Sequence, residues 1–161
     1  MNTIHIHPLI ADTFAPFGDV IDTAGAPDKM INQGLCGRFH DRAGLDFIDG
    51  GKAGISLFQA ELRKLPLKLD MMERHPLGSQ AFLPMSMDGF LVVVAPDDGG
   101  RPGAPLAFRT APGQGVNYHR NVWHGVLAPL SGSGLFAVID RIGAGDNLQE
   151  HWFDQPYMLE G

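Results

Sequence analysis

Apolar and polar positions alternate over short runs along this chain, and turn residues interrupt them about every eight to twelve positions, the habit of a β-sandwich or barrel. The runs predict strands at Thr3–His7, Asp19–Asp22, Arg38–Asp41, Ile55–Glu61, Leu65–His75, Gln80–Met85, Phe90–Ala95, Leu106–Arg109, Val116–Tyr118, Trp123–Leu127 and Leu135–Asp140. Asp97-Asp98-Gly99-Gly100, Pro112-Gly113, Ser131-Gly132-Ser133-Gly134 and Gly143–Asp146 signal turns between them. Little helix is expected: one turn starting at Asp12 or Thr13, either of which suits an N-cap, and a second over Asn147–Phe153. No internal repeat recurs at a fixed period.

The cleanest alternation runs from Leu65. Odd positions read Leu65, Leu67, Leu69, Met71, and even positions Pro66, Lys68, Asp70, Met72. Continued without a bulge, this period turns Glu73 and His75 inward on the leucine face and Arg74 the other way. A buried carboxylate is costly unless paired or bound to a cation, so the period predicts an inward polar site at Glu73 and His75. The competing reading has the strand fraying after Met71, with Glu73-Arg74-His75 a solvated turn before Pro76.

Composition narrows the class. The chain has 161 residues, a length suited to a single domain over 1–161. With 21 Gly and 12 Pro, its longest stretch free of both, Ile55 to Leu65, is 11 residues, which excludes coiled coils, helical bundles and transmembrane helices. The net charge of −6 and the lack of a Lys/Arg cluster argue against nucleic acid or a membrane surface as partner. The lone Cys36 forms no intrachain disulfide and suits a reducing compartment. Met1 to Phe14 lacks the pattern of a signal peptide, so a cytoplasmic location is expected.

Of seven histidines, His5 and His7 share one face of a terminal strand and read as a solvated edge, and His151 reads as surface. His40, His75, His119 and His124 sit among polar and aromatic residues on or beside strands. Gly132-Ser133-Gly134-Leu135-Phe136-Ala137 matches G-x-G-x-x-A but leads into a strand, against a dinucleotide site. No G-x-S-x-G elbow occurs. Cys36 reads as a plain thiol.

Glu73, His75 and Gln80 form E-x-H-x4-Q, and His124 follows on a later strand. A barrel carrying these segments resembles the cupins, which implies an all-β, cupin-type double-stranded β-helix (jelly-roll) barrel in which Glu73 and His75 face His124 across a closed sheet. Longer runs resemble one cupin family, the ureidoglycolate lyases. They are Phe17-Gly18-Asp19-Val20-Ile21; Ile31-Asn32-Gln33-Gly34 with Arg38-Phe39-His40-Asp41; Glu73 through Met85; Gly115 through His124; and Ile139-Asp140-Arg141. Two positions depart from the family pattern: Phe39 stands where Tyr is common, and Ile142 where Gly usually follows Asp-Arg.

The resemblance implies cleavage of (S)-ureidoglycolate to glyoxylate and urea in allantoin catabolism. That reaction needs a base for the hydroxyl proton, an acid for the departing nitrogen and a cation for the carboxylate. Glu73, His119 and His124 are candidates for proton exchange. Arg38, Arg74 and Arg120 are candidate carboxylate forks, Arg38 or Arg120 being favoured if Arg74 points outward. Asn117, Asn121 and Gln80 suit the urea amide, and His40 joins them as a candidate substrate contact. On the plainer reading Arg120-Asn121 is a hairpin turn and Trp123 is core. Glu73, His75, Gln80 and His124 would offer a divalent metal a mixed oxygen–nitrogen shell, suited to Ni, Mn, Fe or Zn. The resemblance points to nickel, and the same pocket works without metal if Glu73 is the base. Another metal cupin (an isomerase or dioxygenase) and a non-catalytic cupin binding a small acidic ligand are the alternatives. A homodimer is expected, because an apolar edge strand such as Phe90–Ala95 needs cover.

Overall fold

The computed structural model describes residues 2–161. In chain order the elements are β1 (Asn2–Pro8), α1 (Ala11–Phe14), β2 (Gly18–Ile21), β3 (Lys29–Ile31), β4 (Cys36–Arg38), β5 (Lys52–Gln59), β6 (Leu67–Arg74), β7 (Gln80–Pro84) and β8 (Phe90–Ala95). They continue with β9 (Asp97–Asp98), β10 (Arg101–Pro102), β11 (Leu106–Arg109), β12 (Gly115–Tyr118), β13 (Trp123–His124), β14 (Ala128–Pro129), β15 (Leu135–Ile142) and β16 (Gln149–Glu160). Strands β11-β1-β16-β6-β13-β8 hydrogen-bond in that order, and β11 pairs back onto β8, so the sheet closes into a mixed six-stranded barrel with β14 appended. A second sheet, β2-β12-β7-β15-β5, lies beside it, as the cupin architecture requires.

This arrangement makes two cores. Leu69, Met72, Leu91, Val93, Ala95, Ala107, Trp123 and Leu159 fill the closed barrel. The alternate residues of β8, Phe90, Val92 and Val94, pack outward with Phe108 against Phe82, Val116, Tyr118, Phe136 and Val138 of the second sheet. Each fully buried side chain of this kind contributes about 1.5–3 kcal/mol. Strand β8 faces a core on both sides, which is why every residue of Phe90–Ala95 is apolar and buried. The expectation of an exposed edge there is therefore corrected: β8 is interior, hydrogen-bonded to β11, β13 and β14.

Three further expectations change. The stretch Asn147–Phe153 is not helical; Gln149 opens the twelve-residue strand β16, whose first residues pair with β6 and whose last pair with both β6 and β1. The first helix forms, but its N-cap is Ile10, with Asp12 inside the first turn and the Thr13 hydroxyl donating back to the Ile10 carbonyl. The strand expected over Arg38–Asp41 ends at Arg38, as the second arm of a β3–β4 hairpin that leaves His40 in a loop.

The alternation along β6 does not run through unbroken. Leu67 and Leu69 face the barrel core, and so does Met72, so the phase slips by one between Leu69 and Met72. The partner strand supplies the cause. Met71 pairs with Trp152 and Leu69 with Tyr157, so Phe153 to Pro156 bulge out opposite Asp70. Glu73 and His75 consequently face away from the leucines, toward the second sheet.

Candidate active site

Strands β6 and β13 set the site. Glu73 and His124 are direct cross-strand partners, so their side chains share one face. His75 follows the end of β6 and returns to the same side, its ring centroid 5.2 Å from that of His124. One ligand atom from each of Glu73, His75 and His124 lies within 4.8 Å of the others, a candidate metal-binding triad. The expectation that His124 faces Glu73 across the sheet becomes adjacency within it.

The hydrogen bonds behind the triad determine what it offers. His75 Nδ1 lies 2.8 Å from the Asn147 carbonyl, and His124 Nδ1 lies 3.0 Å from the Gly125 carbonyl. A carbonyl only accepts, so each ring carries its proton on Nδ1 and presents a lone pair at Nε2. Both Nε2 atoms are buried without a hydrogen-bond partner. His75 Nε2 stands 3.9 Å from Glu73 Oε1, too far for a hydrogen bond. Lone pairs from two imidazoles and a carboxylate thus converge, the two Nε2 atoms having no hydrogen-bond partner among the described residues, and this is a donor set of the kind a divalent cation takes.

Titration follows the same geometry. Burial holds the His124 imidazolium down to a pKa of about 3, with His75 adding to the effect and the Gly125 carbonyl opposing it. His124 is therefore a neutral imidazole at physiological pH. Burial raises the Glu73 carboxyl, His75 pulls it back, and Glu150 raises it further. The ring of Tyr118 stacks on His124 at 4.3 Å and 4°, and burial together with Glu73 pushes its phenol above the ordinary value.

Gln80 joins this side. It pairs with Tyr118 across β7 and β12, its Nε2 donates to Asp140 Oδ2 at 3.2 Å, and its Oε1 is buried without a partner. An amide so oriented offers an oxygen as a further donor on the face shared with Tyr118.

The other candidates from the sequence lie elsewhere. Asn117 faces the opposite side of its sheet from Tyr118, where its Nδ2 donates to Asp19 Oδ2 and the Gly44 carbonyl, both at 3.0 Å, while its Oδ1 is unpartnered. His119 is part of that cluster, its Nε2 3.3 Å from Asp19 Oδ2. Burial pushes the Asp19 carboxyl up, but donors from Asn117 and Gly44 and the nearby His119 outweigh it and hold the group below its ordinary value. Arg120 and Asn121 occupy the turn between β12 and β13, with Asn121 at φ +66° and Val122 N closing onto the His119 carbonyl. Arg120 Nε donates to Asp46 at 2.9 Å and Nη1 reaches the Pro76 carbonyl at 3.4 Å; Asn121 N donates to the His75 carbonyl. Arg74 lies on the barrel side, over the Trp123 ring at 4.4 Å and paired to Asp97 at 2.8 Å. Arg38 is exposed on β4, and the His40 backbone N donates to Asp28.

Four residues around the triad were missed in the sequence: Tyr118, Asp140, Asn147 and Glu150. Tyr118 was legible, since it alternates with Asn117 on a short strand whose other inward residue is Val116. Glu150 and Asn147 were not, because their placement depends on β16 being a strand paired to β6.

A profile of the family described as Ureidoglycolate lyase matches residues 1–160. The chain is 60% identical over 161 residues, the whole of both chains, to the ureidoglycolate lyase of Rhodobacter capsulatus. It is 53% identical to ureidoglycolate lyase 2 of Rhizobium meliloti, covering 99% of each chain, and 49% identical to the enzyme of the same name from Chelativorans sp., covering 99% of this chain and 97% of that one.

Proposed function

The chain belongs to the ureidoglycolate lyase family, and from that premise we propose that it cleaves ureidoglycolate to glyoxylate and urea at the Glu73–His75–His124 site. The observation that carries the placement is the pair of buried, unpartnered imidazole Nε2 atoms beside Glu73. In the substrate one carbon bears a hydroxyl, a carboxylate and the ureido nitrogen. As the O–H proton leaves, the oxygen's electron pair forms the carbonyl, the carbon–nitrogen bond breaks, and the nitrogen takes up a proton as urea departs. A carboxylate at this position suits both halves of that exchange: Glu73 accepts the hydroxyl proton through the oxygen it does not offer to a cation and returns it to nitrogen.

His75, His124, Glu73 and Gln80 fit a divalent metal by donor type: two imidazole nitrogens, a carboxylate and an amide oxygen. Such an ion, nickel by family resemblance, supplies a Lewis acid that lowers the pKa of the substrate hydroxyl. Of the three arginines, Arg120 is the one whose guanidinium reaches the segment beside His75, and we assign it the substrate carboxylate. Asn117 and His119, turned toward Asp19, act as supports.

Purified protein incubated with ureidoglycolate, with and without chelator, tests the reading. Urea with glyoxylate is expected; ammonia in place of urea, or no product, overturns it. The same reading includes a homodimer. The outer face of β5, an edge strand, carries Ile55 at 77% and Leu57 at 64% exposure, apolar area that a second copy would cover. Elution at the mass of one chain in size-exclusion chromatography overturns that part. A reducing, cytoplasmic setting accords with the free Cys36, and no described helix is long and apolar enough to cross a membrane.

A further inference from the structure

Arg141 is 7% exposed, yet among the described residues no carboxylate pairs with it. Its guanidinium instead donates to three main-chain carbonyls: Nε to Ile48 at 2.9 Å, and Nη2 to Asp49 at 3.1 Å and Ala144 at 2.8 Å. A buried guanidinium left without partners is strongly destabilising, and a planar fork is the side chain that serves several carbonyls at once. The surroundings are cut to fit it. A Cβ on Gly51 would collide with the Arg141 side chain, and one on Gly78 would stand 2.7 Å from Arg141 Cβ.

The two loops so clamped lead to the imidazole of His75. Ile48 N donates to the Leu77 carbonyl at 3.0 Å. Leu77 N donates to Asn147 Oδ1 at 2.7 Å, and the Asn147 carbonyl accepts the His75 Nδ1 proton at 2.8 Å. Asn147 is thereby held through its side chain while its main chain holds the ring, three residues after the Ala144 carbonyl bound by Arg141.

The geometry points to Arg141 and Asn147 as positioning residues that lock His75 in its Nδ1–H tautomer with Nε2 directed at Glu73 and His124. Neither touches substrate. Where this concerns capture of a divalent cation it rests on the metal reading proposed above.

Imidazole 15N–1H correlation spectra and Co2+ titration of the metal-free full chain test this in wild type, Asn147→Ala and Arg141→Lys. Leu159→Ala, which loosens the barrel core, is the control for a general loss of stability. The expected wild-type His75 carries its proton on Nδ1. Asn147→Ala and Arg141→Lys mix the tautomers and weaken Co2+ binding by about 10–100-fold, whereas Leu159→Ala lowers the melting temperature and leaves both unchanged. If Arg141→Lys does not fold, Asn147→Ala alone decides. A wild-type proton on Nε2, or an Asn147→Ala protein with the wild-type tautomer and Co2+ affinity, overturns the assignment. Mixed tautomers in the variants with no Co2+ uptake by wild type leave the positioning role standing and overturn the metal reading.

Discussion

Two polar clusters flank strand β12, and they use their carboxylates in opposite ways. On the outward side Asp19 takes donors from Asn117, Gly44 and His119 on one oxygen. On the inward side no hydrogen bond among the described residues reaches the Glu73 carboxylate, and both imidazoles beside it turn their protons away. A carboxylate already surrounded by donors pins a loop to a sheet. On the function proposed above, a carboxylate beside two unpartnered imidazole lone pairs serves a cation or a substrate proton. Residue type is similar in the two clusters, so the difference lies in which way each histidine's second nitrogen is bonded.

The sharpest way to break this contrast is by substitution. Glu73→Gln is expected to lower kcat for urea release by about 10²–10⁴-fold, and Asp19→Asn by less than tenfold; equal losses in the two variants would erase the distinction. Removal of metal comes next. Dialysis against chelator is expected to abolish most urea release, and added Ni2+ to restore it, while Asn117→Ala retains the response. A rate indifferent to chelator breaks the metal reading.

Acid separates the clusters more gently. His124 has its folded pKa depressed from 6.5 to about 3, so the unfolded chain binds a proton that the folded chain refuses, and stability present above pH 6.5 is lost as pH falls toward 3. Asp19 is also depressed, from 3.8, so its contribution is lost only below about pH 4. Thermal melts of metal-free protein should therefore soften between pH 6.5 and 4, and His124→Gln should remove that slope; an unchanged slope in the variant counts against a buried neutral imidazole. The smallest effect is expected from Asn117→Ala, a stability loss of about 1–3 kcal/mol with Co2+ affinity unchanged. Loss of Co2+ binding there would join the two clusters into one site.

Much of the site was readable before the fold. The alternation gave Glu73 and His75 a common face, and the resemblance of their segments to the cupin motifs added Gln80 and His124. The face itself was misassigned, because the slip at Asp70 answers a bulge at Phe153–Pro156, more than eighty residues away. The same pairing explains the missed strand: Gln149–Phe153 has no strong local strand signal, and hydrogen bonding to β6 makes it extended. Asn117 and Tyr118, both in the matched run, divide between two sides because neighbours on a strand must.

Local rules were enough to determine a chain of short strands with little helix, the turns between them, and Glu73 and His75 as a polar pair on one face. They act within a few residues, where period, glycine and proline decide conformation. Tertiary structure alone decided which face Glu73 and His75 occupy, which histidine nitrogens stay free, and that β8 is buried on both sides. Those outcomes depend on strand pairing and on carbonyls brought from distant segments, and no window of sequence contains both partners.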